Sequence, residues 1–191
     1  MPRFLFFLCW VPALLAQDPQ FNTSGELSRP QNFREWVYLT SGLGMNYGSD
    51  TESTQPVFDN VFVKPEAYRA FVATGHWPEK TMFVLELRRS DSHGSINRAG
   101  RFQTGVQAVE AAVKDSARYP EGWAYFSFGQ GEDLLEKTKP FPQKSACNQC
   151  HAKNAAVENT FVQFYPTLLE IAKAKGTLNP HYSQPAESSA K

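Results

Sequence analysis

The chain has 191 residues, of which 41% are hydrophobic and 14% aromatic, so it can bury one substantial core but is short for two ordinary domains. It carries 19 basic and 19 acidic residues with no basic stripe, which argues against nucleic-acid binding and indicates no electrostatic partner. We therefore expect a single domain with polar ends.

Residues 1–16 have the layout of a secretory signal peptide. Arg3 precedes an almost unbroken apolar run that ends at Ala16. This run is shorter than the roughly 20 apolar residues that a membrane-spanning helix needs. We therefore expect cleavage near Ala16 and a mature protein without a membrane segment, with an uncleaved N-terminal anchor as the alternative.

The mature chain is predicted to begin with an arm, a short helix and a loop. Residues 17–30 are polar and turn-rich, as suits an N-terminal arm outside the core. The spacing of Phe33, Trp36 and Val37 predicts a short helix. Residues 41–56 are rich in Gly, Ser and Thr and predict a loop.

A strand, a helix and a second strand are predicted next. Residues 57–63 are of strand-forming types, and the following helix has Pro65 at its start and Gly75 at its end, which are the usual positions for these residues. Residues 81–88 alternate in a way that predicts a largely buried strand. Its two faces carry Phe83, Leu85 and Leu87 on one side and Met82, Val84 and Glu86 on the other.

The last third of the chain contains one ambiguous segment. In residues 100–115 the apolar positions fit both a strand and a helix, whereas the aromatic residues 122–128 predict a strand. After a loop rich in Gly, Pro and Lys, residues 161–175 have helical spacing and Gly176 is a stop. The polar residues 177–191 are predicted to be a disordered tail.

One motif carries recognisable chemistry: Cys147-Asn-Gln-Cys150-His151 matches the C-x-x-C-H signature of haem attachment in c-type cytochromes. On a helix, residues three apart share a face, so both sulfurs can bond one porphyrin edge while His151 ligates the iron. A zinc site would need more Cys or His ligands, a thioredoxin-like pair would be expected near a βαβ unit, and a disulfide across so small a loop would stabilise little. The motif therefore predicts one covalent haem c.

The residues leave the sixth iron ligand open. Electron carriers usually place Met or His there. Met45 falls in a loop and Met82 on a strand, where packing is the more usual role of methionine. The remaining histidines fall in turns or the tail, where a solvated side chain is the default: His76, His93 and His181. An open or apolar distal side is therefore favoured.

Beyond this motif, the sequence resembles the cytochrome P-460 and cytochrome c′-beta family from about Asn32 to Leu169. The motifs that carry the resemblance are Arg34-Glu-Trp-Val37, Phe62-Val-Lys-Pro-Glu-Ala-Tyr68, Val113-Lys-Asp115, Gly122-Trp-Ala-Tyr125, the haem motif, and Thr160-Phe-Val-Gln-Phe-Tyr-Pro166. The resemblance implies an α+β domain over residues 31–176, with a mainly antiparallel β-sheet, flanking helices and a C-terminal haem-attachment motif. It also implies a homodimer, and a strand rather than a helix at 105–115.

The resemblance also divides the chemistry. Members of the P-460 type have a lysine bonded to the porphyrin and oxidise hydroxylamine, whereas c′-beta members lack that bond and bind gases such as nitric oxide and carbon monoxide. The alignment places Leu85, which has no nucleophile, at the lysine position. It places Asp59 near the position of an arginine above the haem, and Glu110 on the family's distal carboxylate.

Glu110 has two interpretations. On a strand it would share a face with Val106, Ala108 and Ala112, where burial would raise its pKa and make it a candidate proton acceptor. On a helix it would be a solvated partner of Lys114.

Leu85 and Phe83 point the same way and form either ordinary core or an apolar wall that favours neutral diatomic ligands. Together these features predict an exported, periplasmic cytochrome that binds or detoxifies small nitrogen-oxide or diatomic ligands at a five-coordinate iron, with an unidentified redox partner. One alternative is hydroxylamine oxidation, which needs another lysine, such as Lys80 or Lys64, at the porphyrin. The other is electron transfer with a methionine as the sixth ligand.

Overall fold

The computed structural model describes residues 18–45, 55–131 and 133–182. The predicted signal peptide, part of the predicted loop and residues 183–191 of the predicted tail lie outside these ranges. In the described part of the chain, no helix combines the length and the apolar character needed to cross a membrane.

The centre of the described chain is a five-stranded antiparallel sheet in which neighbours in sequence are neighbours in space. In chain order the elements are β1 (Leu27–Ser28), β2 (Val37–Leu43), β3 (Phe58–Val63), α1 (Pro65–Thr74), β4 (Met82–Asp91), β5 (Phe102–Lys114), β6 (Trp123–Gln130), β7 (Lys137–Thr138), α2 (Ala146–Asn154) and α3 (Pro166–Lys175). Strands β2 to β6 form the sheet, and β1 pairs with β7 in a second, two-stranded one. The predicted class, a mainly antiparallel β-sheet with flanking helices in one domain, is confirmed.

Successive side chains of β4 point to opposite sides of the sheet and belong to two apolar cores, one on each side. Phe83 packs with α1, α3 and the buried Trp77 on one side, whereas Met82 and Val84 pack with apolar residues of β5 and β6 on the other. This division is the one that the sequence predicts for residues 81–88. The segment that was ambiguous in sequence is a strand, β5, because it pairs along its length with β4 and β6.

A buried charge cluster lies on the side of Met82. The Glu86 carboxylate is 2% exposed and accepts hydrogen bonds from Arg88 and Arg34. Burial alone would raise the pKa of Glu86, but Arg88 and Arg34 together hold it below the ordinary value. Glu86 is therefore a structural charge rather than part of the cavity described below.

Both longer helices end as the sequence predicts. Gly75 after α1 and Gly176 after α3 have φ values of 78° and 69°, in the left-handed region that favours glycine. At Gly75 a Cβ would come within 2.8 Å of the side chain of Thr177, so the ends of the two helices approach closely.

The helix and loop predicted before β3 were partly wrong. The helix around Phe33 is a single 3-10 turn that ends at Glu35, and Val37 already begins β2. Strand β2 also takes residues 41–43 from the predicted loop, since these residues pair with β3. Pairing with a distant strand decides this segment, and its Gly- and Ser-rich composition does not reveal that partner.

The predicted ends of the domain also needed correction. The arm contributes Leu27 to the core as a fully buried side chain, because β1 is held by β7 more than a hundred positions away. Residues 177–182 of the predicted disordered tail are attached to the domain. Asn179 donates its backbone N–H to Ala156 at 2.7 Å and its side-chain amide to Ala155 at 2.8 Å.

Candidate functional site

A cavity of about 540 Å³ lies between the sheet and the C-terminal part of the chain. Its sheet wall comes from β2 to β6, and its opposite wall from α2 and residues 159–165. A concave, mainly apolar volume of this size suits a large planar cofactor. The structure brings all of the predicted site residues to it: Phe83, Leu85, Glu110, Cys147, Cys150 and His151.

Helix α2 presents both cysteines to the cavity. Ser145 caps the helix, since its hydroxyl accepts from the backbone N–H of Asn148 at 3.5 Å and donates to the side chain of Asn148 at 2.8 Å. Cys147 and Cys150 lie three residues apart on one helix face and carry free thiols. Burial, and then the charge of Glu110, raise the pKa of Cys147. Because both thiols are free and line the cavity, both sulfurs are available at its edge.

The imidazole of His151 is held in one orientation. Its Nδ1 donates to the backbone carbonyl of Asn159 at 2.8 Å, and the hydroxyl of Tyr125 donates to the same oxygen at 3.1 Å. The rings of Tyr125 and Phe161 have centroids 4.2 and 4.3 Å from that of the imidazole. Burial lowers the pKa of His151, so the ring is neutral at neutral pH. Because Nδ1 is used, Nε2 carries the free lone pair and is the atom able to ligate a metal.

The wall formed by β4 is apolar. Phe83, Leu85 and Leu87 face the cavity from this strand. Phe83 also belongs to the core, because its ring lies 4.8 Å from that of Trp77 and 6.3 Å from that of Tyr165, measured between centroids. Both interpretations of Phe83 therefore hold, since it closes the core and lines the cavity with the same ring.

Two carboxyl groups line the cavity from the strands on either side of β4. Glu110 lies on β5, so the interpretation that placed it on a helix beside Lys114 is wrong, and burial raises its pKa. Asp59 on β3 lines the same cavity, and burial together with the Glu110 charge raises the pKa of Asp59 from 3.8 to about 6. Among the described residues that line the cavity, none is lysine or arginine. Because its pKa is about 6, Asp59 changes its charge close to neutral pH.

The face shared with Glu110 was predicted correctly except at one position. Ala108 and Ala112 pair with the cavity-facing residues of β4, as expected. Val106 instead packs in the core on the other side of the sheet. The reason is a bulge at Gln107, which the pairing with β4 skips, and an extra residue in a strand inverts the alternation beyond it.

The residues required by the alternative functions are mostly elsewhere. Met45 lines the cavity, whereas Met82 lies in the core on the opposite side of the sheet. Neither Lys64 nor Lys80 lines the cavity, and Lys80 forms an ion pair with Asp115 at 2.5 Å. The three other histidines of the described chain are exposed, as predicted: His76, His93 and His181.

Three residues of the site were not foreseen individually. Tyr125 and Phe161 occur in motifs that supported the family resemblance, so those motifs held the signal for them. Asn159 acts through its backbone carbonyl, which every residue type has, and no side-chain pattern identifies it.

Comparison with known proteins supports the same interpretation of the site. A family model described as Cytochrome P460 matches residues 30–162, which is well over half of the chain. The chain belongs to the cytochrome P460 family. A search of curated proteins found no match. Membership in this family indicates a haem-binding cytochrome, and the resemblance predicted from the motifs is confirmed.

The cavity of this P460 family member fits a haem. It has two thiols at one edge, a neutral imidazole with Nε2 free, and apolar side chains over the facing wall. These are the groups that covalent attachment, axial ligation and burial of a porphyrin require.

Proposed function

We propose that this protein is a c-type cytochrome whose single haem is attached through Cys147 and Cys150, with Nε2 of His151 as the axial ligand and small nitrogen oxides or diatomic gases bound opposite. The observation that carries the proposal is the meeting of both thiols and the oriented imidazole in one cavity. The haem would supply an iron with an open coordination position. Export to the periplasm, a homodimer and an unidentified redox partner belong to the same proposal.

The side chains that line the cavity favour the binding of neutral ligands over charged ones. Leu85, Leu87 and Phe83 offer no hydrogen-bond donor, and an ion would lose its hydration there without a partner. Asp59 and Glu110 add negative charge as they ionise, which further disfavours anions. Glu110, with its raised pKa, is the candidate proton acceptor on this wall.

Hydroxylamine oxidation that depends on a lysine bonded to the porphyrin receives less support. Leu85 has no nucleophile at the aligned position, and neither Lys64 nor Lys80 lines the cavity. Residues 46–54, which lie outside the described ranges, contain no lysine in the sequence.

Electron transfer is a second candidate because of one observation, the position of Met45. Met45 is among the residues that line the cavity, so its thioether could serve as the sixth ligand of a haem iron there. Met82 has no such position, because it packs on the other side of the sheet.

Absorption spectra of ferrous protein, matured in a periplasm and recorded with and without carbon monoxide, separate gas binding from electron transfer. A gas-binding site is high-spin and responds to carbon monoxide, and this is the expected result. A low-spin spectrum unchanged by carbon monoxide in wild type, but responsive in Met45→Leu, would establish methionine ligation and overturn the proposal. Met82→Leu is the matched control and should leave the spectrum unchanged.

Covalent attachment is tested separately by intact mass. Wild type should exceed the bare polypeptide by one haem, Cys147→Ala and Cys150→Ala should each keep that haem through the remaining thioether, and the double variant should have the mass of the bare polypeptide. A colourless wild type with the mass of the bare polypeptide would refute covalent haem binding.

A further inference from the structure

A strained turn lies shortly after α2 and carries the carbonyl that orients His151. Residues 157–160 form this turn, which is closed by a hydrogen bond from the N–H of Thr160 to the carbonyl of Val157 at 2.7 Å. The two central residues, Glu158 and Asn159, have φ values of 44° and 60°, the pattern of a type I′ turn. Asparagine tolerates this region, whereas glutamate rarely adopts it, so the surrounding structure has to hold the backbone there.

The side chain of Glu158 is tied to two other parts of the fold. Its Oε2 accepts from Nζ of Lys114 at 2.7 Å and from the backbone N–H of Trp77 at 3.4 Å, and its Oε1 lies 2.6 Å from Nδ1 of His76. Lys114 also donates to the carbonyl of Trp77 at 2.7 Å. The Lys114 side chain is mostly buried at the end of β5, so Glu158 is anchored to the rigid sheet.

The far end of the turn is fixed as well. The indole of Trp77 donates to the hydroxyl of Thr160 at 2.9 Å, and that hydroxyl donates to the carbonyl of Val157 at 2.6 Å. With both ends held, the carbonyl of Asn159 between them has one direction, toward Nδ1 of His151.

We propose that Glu158 is a positioning residue for the axial histidine. Through Lys114 and His76 it clamps the 157–160 turn in its strained conformation and thereby keeps the Asn159 carbonyl on the imidazole. This inference rests on the proposed haem ligation by His151. A hydrogen bond from Nδ1 strengthens the donor character of a ligating imidazole, so the clamp acts on the iron without touching it.

The test compares holoprotein of wild type with Glu158→Ala, Glu158→Gly and Glu170→Ala. Glu170 is an exposed glutamate in an ion pair with Lys173 on α3, so its variant removes the same charge without altering the contacts of Glu158. The readouts are the iron–imidazole stretching frequency of the ferrous protein, from resonance Raman spectra, and the midpoint potential.

We expect Glu158→Ala to lower the stretching frequency and raise the midpoint potential, because the imidazole becomes a weaker donor. Glu158→Gly should shift both in the same direction but no further than Glu158→Ala, since glycine adopts positive φ without strain. Glu170→Ala should match wild type. Unchanged values in Glu158→Ala, or a larger shift in Glu158→Gly, would overturn the inference.

Two further measurements cover other failures. If Glu158→Ala does not accumulate, Lys114→Met removes the anchoring cation, and an unshifted frequency there counts against the clamp. If wild type carries no haem, the proposed function fails, and the clamp is tested through the NMR signal of the His151 Nδ1 proton. That proton should exchange slowly in wild type and rapidly in Glu158→Ala, and equal exchange rates would refute the clamp.

Discussion

Replacing Asp59 by asparagine should stabilise the protein at alkaline pH and leave its stability at acid pH unchanged. Burial and the Glu110 charge raise the pKa of Asp59 from 3.8 to about 6, so the folded protein holds this proton where the unfolded chain has lost it. The free energy of unfolding of wild type therefore falls as the pH rises from about 4 to about 6. An asparagine side chain at this position would carry no charge at any pH and would avoid this loss.

The magnitude follows from the shift. At about 1.4 kcal/mol per pKa unit, a change from 3.8 to about 6 corresponds to about 3 kcal/mol. The side chain is only partly buried, and solvent screening reduces the effect, so we expect Asp59→Asn to raise the free energy of unfolding by about 1–2 kcal/mol at pH 8. At pH 4 most of the difference should be gone, and well below pH 3.8, where the carboxyl is protonated in both states, it should vanish.

Urea unfolding at pH 4 and pH 8 measures this effect, and Asp91→Asn is the matched control. Asp91 is exposed on the next strand, and the backbone N–H of His93 lowers its pKa, so its neutralisation should act in the opposite direction above pH 4. An Asp59→Asn variant that is no more stable than wild type at pH 8, or equally stabilised at pH 4, would refute the assignment of a buried carboxyl with a raised pKa.

Two further predictions concern stability. Glu86→Ala removes the buried carboxylate from its two arginine partners and should cost about 2–3 kcal/mol, less than for a fully buried pair because both arginines are partly exposed. Because the pKa of Glu86 lies below 4.5 in the folded protein, the deficit relative to wild type should shrink as the pH falls below that value. Gly75→Ala should lower the free energy of unfolding by more than Gly25→Ala, since both glycines have a φ of 78° but only at Gly75 would a Cβ meet Thr177, at 2.8 Å. The positive φ alone should cost about 1–2 kcal/mol, and equal losses in thermal unfolding would show that the close approach to Thr177 carries no energy.

Local features that depend on a few neighbouring residues were predictable from the sequence. The alternation of residues 81–88 predicted which side chains face each side of β4, because a strand turns successive residues to opposite faces. Gly75 and Gly176 predicted the ends of α1 and α3, because glycine adopts the left-handed conformation at little cost. The haem motif predicted a helical turn with both cysteines on one face.

Features that depend on distant partners were not predictable in this way. Leu27 gave no sign of being core, since its burial depends on β7. Val106 followed the alternation in sequence but not in the structure, because the bulge at Gln107 is a property of the pairing with β4.

Residue types and their spacing were enough to identify the chemistry available to this protein: two thiols and an imidazole at fixed spacing, and residue types that make a β-rich domain of the P460 family. The fold was needed to show that the Glu110 charge acts on Asp59, that Met45 reaches this cavity while Met82 does not, and that the carbonyl of Asn159 orients His151. The physical reason is that charge coupling, burial and backbone hydrogen bonds act through space between segments far apart in the chain. A residue's own identity does not record which segment lies beside it.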